Sequence, residues 1–281
     1  MPTITFTSDG DPFPAQAGNP LVNDGTTARA GFGGGNTISD QTHNFSFELR
    51  AGLNTSDPQP TTLGAQGICM NGVVLFNPSA GPGPLPGSAI DPPNGFNWNA
   101  VFNESAYGVD SCGGHPEVNG EYHYHSGSFL INCWTNTKFI NSNTYYSSTN
   151  YLGNQFRHSD GHSKLVGFCF DGYPIYGPYS YVTAEDNTSG VTQMLSSYRT
   201  RATVAPGRLF SYGQQPAGSF IQDYEYVANL GTLDEYNGRY GVTPDYPEGT
   251  YAYFLTFEEN DFNAPAYPYI FGPSTKQQRG A

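Results

Sequence analysis

The sequence predicts an all-β protein, sandwich-like and turn-rich, with long loops and at most one or two short helices. Three observations predict it. Charged residues are only 12% of the chain while aromatic residues are 15%, a balance that suits half-buried pleated surfaces better than solvated helices. The 35 Gly and 22 Pro supply turn chemistry throughout. Several stretches alternate with a period of two, the clearest being 120-GEYHYH-125, and that is the period of a strand.

The 281 residues suffice for a sizeable core. A formal charge of −13 with 11 Lys plus Arg excludes an electrostatic hold on nucleic acid or on an anionic membrane. No segment approaches the roughly 18 apolar residues of a spanning helix, so no membrane insertion is expected. The start MPTITFTSDGDPFPAQAG has neither a basic region nor an apolar stretch, so no signal peptide is expected. The low charge and the abundance of Tyr, Asn and Gly suit a protein of a virion or of the extracellular space. Sequons at Asn44, Asn54, Asn103 and Asn187 carry little weight in so Asn-rich a chain.

In chain order, residues 1–43 read as an N-terminal arm or loosely attached strands ending in 31-GFGGGNTISDQ-41, and residues 44–281 as the main domain, opening with the strand 44-NFSFEL-49. The stretch 67-GICMNGVVLFNP-78 is echoed by 167-GFCFDGYPIYGP-178. Each reads as a β-hairpin with a two-residue turn, at Asn71-Gly72 and Asp171-Gly172. In that reading Asp171 is a residue that tolerates positive φ rather than a ligand. Pro/Gly-rich 79–95 and the tyrosine-rich segment 141-NSNTYYSSTNYLGNQ-155 read as loops, and the tyrosines of the second suggest contact with a surface glycan. Helical spacing of Val191, Met194, Leu195 and Tyr198 predicts a helix over 190–201.

A second echo sets 120-GEYHYH-125 against 249-GTYAYF-254. Gly and both tyrosines recur, while Ala252 and Phe254 stand where the first copy has His123 and His125. The histidines therefore share a face of a type that is apolar elsewhere, which predicts that they are partly buried and need partners. Side chains two apart on a strand lie about 6 to 7 Å apart, within reach of one metal ion. His115 lies just upstream, and His158 and His162 fall in 157-RHSDGHS-163, before the second hairpin. The competing reading is a hydrogen-bonded His/Tyr network without an ion, and spacing alone leaves both open.

Cys112 and Cys133 bracket the histidine strand and are a candidate disulfide; Cys69 and Cys169 occupy equivalent places in the two hairpins, as a second bridge or as two buried thiols. With no CxxC knuckle, a four-cysteine zinc site is not expected. No GxSxG and no nucleotide-binding loop are present.

In 113-GGHPEVNGEYHYHSGS-128, 161-GHSKLVGFCFDGYPIYGP-178, 233-LDEYNGR-239 and 247-PEGTYAYFLT-256 the chain resembles the YHYH family over roughly residues 65 to 272. That resemblance implies a candidate metal set of His115, His123, His125 and His162, for zinc or copper, and an acidic motif at Asp234 and Glu235. Many members carry a second Tyr-His-Tyr-His in the late strand and a Cys in the acidic motif, where this chain has YAYF and Tyr236. This variant is most similar to the marine cyanophage branch. The resemblance thus implies a structural or surface-displayed virion component, with other virion subunits or further copies of itself as partners. The alternatives are a secreted-type metal-binding protein or metalloenzyme using the same histidines, and a carbohydrate-binding adhesin module.

Overall fold

The computed structural model describes residues 2–10, 36, 38–50, 52–84, 92, 95–103, 108–109, 113–132, 157–203 and 215–279. Cys112, Cys133, most of the Gly-rich segment before residue 36 and the 141–155 loop lie outside the described residues.

The fold is all-β. In chain order the strands are β1 (Thr3–Ser8), β2 (His43–Glu48), β3 (Gln59–Pro60), β4 (Ala65–Cys69), β5 (Val74–Phe76), β6 (Gly114–Pro116), β7 (Tyr122–Tyr124), β8 (Leu165–Cys169), β9 (Pro174–Tyr176), β10 (Tyr179–Tyr181), β11 (Val191–Gln193), β12 (Tyr198–Thr200), β13 (Tyr224–Tyr226), β14 (Gly238–Gly241), β15 (Thr250–Phe254), β16 (Phe257–Glu258), β17 (Asp261–Pro265) and β18 (Ser274–Thr275). One helical turn, α1 (Phe129–Asn132), follows β7.

Among the described residues, eight strands form the central sheet, in the order β14-β15-β9-β8-β4-β5-β7-β6, and ten more pair as five two-stranded ribbons. The two sequence echoes explain that order. Both 67–78 and 167–178 are antiparallel hairpins, and they meet antiparallel through β4 and β8, with Ile68 opposite Phe168. Outward from them, β5 pairs parallel with β7 and β9 pairs parallel with β15. Antiparallel edge strands β6 and β14 complete the two halves. The sheet is thus two similar four-stranded halves related by an approximate two-fold axis between Ile68 and Phe168. Glycine is required at that junction, because a Cβ on Gly167 would lie 2.3 Å from Ile68 O and one on Gly67 2.6 Å from Phe168 O.

Alternation along the strands divides the core into two faces. Tyr122 and Tyr124 join Leu75, Ile175, Tyr251 and Tyr253 in the larger core. On the opposite face Ile68, Phe168 and Phe170 are covered by Phe6, Phe45 and Phe47 of the β1–β2 ribbon. The described part of residues 1–43 therefore lies on the chain's own sheet, since β1 pairs with β2 from Thr3–Glu48 to Ser8–His43.

Two local expectations need correction. The hairpin loops have three residues, not two: Gly72 N–H donates to Cys69 O (2.9 Å) and Cys69 N–H to Val73 O (2.9 Å), and Gly172 and Cys169 repeat the pattern. Only the glycines, at φ 90 and 93, are left-handed. Asp171 is present for its carboxylate, which accepts from Tyr173 N–H (3.2 Å) and Tyr253 Oη (2.6 Å). Burial pushes that carboxyl up to about 6.

The helix expected over 190–201 is absent. Val191–Gln193 is β11, paired with β10, and Tyr198–Thr200 is β12, paired with β13. The spacing of Val191, Met194 and Tyr198 satisfied a helical period, but pairing with Tyr179–Tyr181 and Tyr224–Tyr226 satisfies the backbone of these β-favouring residues instead. Cys69 and Cys169 are buried free thiols, so the second-bridge alternative is set aside. No helix among the described residues is long and apolar enough to cross a membrane.

Candidate metal centre

Strands β6 and β7 pair antiparallel with His115 directly opposite His123, so these rings share one face and His125, two residues further on, joins them. Close approach of β6 to β7 depends on Gly114, whose absent Cβ would overlap Tyr122 Oη at 2.3 Å. One ligating atom from each of His115, His123 and His125 can be chosen such that all three lie within 4.8 Å of one another. Ligand atoms around a tetrahedral zinc are about 3.3 Å apart, given Zn–N bonds of about 2.0 to 2.1 Å. Ring centroids are 4.6 Å apart for His115–His123 and 4.7 Å for His123–His125. Phe76 stacks on His123 at 3.9 Å and fixes its plane.

The hydrogen bonds count against a metal-free network. His123 Nδ1 lies 3.0 Å from Glu121 O and His125 Nδ1 lies 2.7 Å from Asn77 O. Carbonyls only accept, so each ring spends its single N–H on the backbone. The two Nε2 atoms then face each other at 3.0 Å with a lone pair on each and no proton between them. A further proton or a cation between them would relieve that contact. Burial, with the neighbouring imidazoles adding to it, holds His123 well below its usual range, and burial with the charge of His115 brings His125 down to about 3. A proton is therefore unwelcome at neutral pH, whereas a metal accepts both lone pairs. Backbone carbonyls holding Nδ1–H and leaving Nε2 free are the usual outer partners of histidine ligands.

His162 does not join this group, so a single centre of all four histidines is not formed. Its Nδ1–H donates to Ser163 O (2.7 Å) and its Nε2 accepts from Ser180 Oγ (3.1 Å). It packs in the other half of the sheet, 5.0 Å from the Tyr176 ring and 6.5 Å from that of Phe254. There the positions of His115, His123 and His125 hold Arg239, Ala252 and Phe254: Arg239 is paired opposite Ala252, and its Nη2 donates to Ser180 Oγ (2.9 Å) and Tyr181 O (2.7 Å). A guanidinium, a methyl and a phenyl ring cannot ligate, so the second half carries the fold without the donors. Asp234 serves the turn before β14, accepting from Tyr251 Oη (2.9 Å), Tyr236 N–H (3.0 Å) and Gly238 N–H (3.1 Å). Glu235 contributes a backbone acceptor to Tyr198 Oη (2.7 Å).

The triad opens into a cleft of about 790 Å³, within the size range of small-molecule sites. Phe76, Asn77 O and the cleft walls were not read from the sequence; only the echo of Phe76 in Tyr176 pointed to the first of them.

A family model described as YHYH protein matches residues 44–265. The chain belongs to the YHYH protein family. No curated protein and no solved structure matches this YHYH chain. The motif that names the family supplies two of the three converging imidazoles, and its tyrosines, Tyr122 and Tyr124, are both buried in the larger core.

Proposed function

We propose that the chain binds one divalent metal ion through His115, His123 and His125 and presents it to a ligand in the adjoining cleft. Zinc or copper suits three imidazole nitrogens. The observation that carries the reading is the 3.0 Å approach of His123 Nε2 to His125 Nε2 while both Nδ1 atoms face backbone carbonyls. Three protein ligands leave a coordination position for water or a ligand oxygen, and a bound ion there supplies Lewis acidity. The chain's own groups hold the rings: Glu121 O and Asn77 O orient the imidazoles, and Phe76 fixes the ring plane of His123.

The test is titration of the purified full chain with zinc and with copper. One equivalent should bind to the wild type and to His162→Gln, and none to His123→Ala or His125→Ala. A wild-type chain that takes up neither metal sinks the proposal. The reading of the chain as a virion subunit rests on composition and motif pattern, and the described start of the arm it invokes, Thr3–Ser8, is paired with the chain's own β2.

A further inference from the structure

We infer that the cleft beside the triad takes an uncharged small molecule with an apolar arm and a metal-binding oxygen, of the acyl type, and disfavours phosphate esters and other anions; this rests on the metal-binding reading above. The hairpin that supplies His115 and His123 also supplies a wall. Its turn is closed by Gly120 N–H donating to Glu117 O (2.9 Å) and carries Val118, which is 81% exposed. Leu63, 57% exposed, lines the same cleft, and Phe76, Ala80 and Pro116 complete an apolar lining shared with the three histidines. Single exposed apolar side chains are ordinary on a protein surface. Two of them lining one cleft of about 790 Å³ together with three further apolar residues form a site for apolar matter.

Charge sets the other half of the specificity. Glu117 and Glu121 line the cleft, and no lysine or arginine does among the described lining residues. The Glu117 carboxylate is held in place by Asn119 N–H (2.8 Å) and Asn119 Nδ2 (3.0 Å). Glu121 Oε1 lies 3.6 Å from His43 Nε2. With a formal net charge of −13, the field of the whole chain also repels an anion approaching the cleft. Phosphate recognition relies on Arg or Lys forks and on helix N-termini, neither of which the described walls provide. A neutral acyl compound meets the triad through its oxygen and lays its chain against Leu63 and Val118.

The experiment uses the zinc-loaded full chain and straight-chain primary carboxamides from two to eight carbons, which stay uncharged when their oxygen meets the metal, with inorganic phosphate as the anionic probe. Affinity by calorimetry should rise about fourfold per added methylene until the arm leaves the cleft. Phosphate should bind at least 100-fold more weakly than the eight-carbon compound. Val118→Ser and Leu63→Ser, at exposed positions where the fold tolerates change, should flatten the series, with zinc titration confirming that the centre is intact. A flat wild-type series, or phosphate competing as well as the eight-carbon compound, overturns this inference and leaves the metal centre standing. A chain that binds no zinc overturns both, so the two failures are told apart by the metal titration.

Discussion

His115 lies directly opposite His123 across the β6–β7 pair, and Arg239 lies opposite Ala252 in the same way across β14–β15. Two halves with one backbone plan thus differ in whether the shared face presents nitrogen donors. Phe254 shows what the His125 position holds when no ligand is needed.

That comparison yields the first prediction. In the metal-free protein the facing Nε2 atoms of His123 and His125 are a cost, because two buried lone pairs meet at hydrogen-bond distance while both Nδ1 protons go to the backbone. His125→Phe should raise the unfolding midpoint of chelator-treated protein while abolishing stabilisation by zinc. Wild-type protein at a free zinc concentration of 100 times its dissociation constant should gain about 2.7 kcal/mol. Thermal scans with zinc and with chelator measure both; a variant less stable than the chelated wild type argues against the lone-pair conflict.

Gly114→Ala should destabilise the chain and weaken zinc binding together. Its Cβ would overlap Tyr122 Oη at 2.3 Å, and the Tyr122 ring is buried, so β6 must shift and carry His115 with it. Overpacking of this kind costs about 1 to 3 kcal/mol. Urea unfolding and metal titration of the same variant check it; unchanged zinc affinity would show that His115 is not positioned by this contact.

Asp171 contributes a pH dependence opposite to that of ordinary paired carboxylates. Its folded-state pKa is raised to about 6 from 3.8, mainly by burial, so its stabilising share is fully present below about 4 and lost as pH rises through 6. The destabilisation caused by Asp171→Asn should therefore shrink between pH 4 and pH 7, by at most about 3 kcal/mol. Urea midpoints of both proteins across that range measure the difference, and a constant gap would place the titration elsewhere.

His162 acts in the other direction. Burial brings it down to about 4 from 6.5, so its contribution is present above 6.5 and lost as pH falls through 4. His162→Gln should cost more at pH 7 than at pH 4, by up to about 3 kcal/mol. A cost that is the same at both pH values would mean that folding does not shift the His162 pKa.

Much of the sheet was legible because it is written twice. The echo of 67–78 in 167–178 gave both hairpins, and that of 120–125 in 249–254 gave β7, β15 and the burial of the histidine face. A third echo, 109-VDSCGGHP-116 against 233-LDEYNGRY-240, was available and matches the pairing of β6 and β14 on the two edges. It sets His115 against Arg239 and would have assigned His115 to the same face as His123. The helix over 190–201 was misread because a few apolar residues fit either period, and pairing partners more than twenty residues away for β12 decided the matter.

The sequence by itself determined the all-β class, the two hairpins and the placing of His123 and His125 on one face, because turn chemistry and a period of two are local properties of the chain. Tertiary structure decided which third histidine meets them. His115 and His162 are both outside the motif, and beyond the echo of 109–116 in 233–240 no local signal separates them; antiparallel pairing of β6 with β7 puts His115 opposite His123, while His162 packs beside Tyr176 in the far half. Parallel pairing of β5 with β7 likewise brought Phe76 and Asn77 O to the imidazoles. His123 finds its Nδ1 partner locally, in Glu121 O, but only the long-range register brings Asn77 O to His125 Nδ1 and so leaves two Nε2 lone pairs 3.0 Å apart.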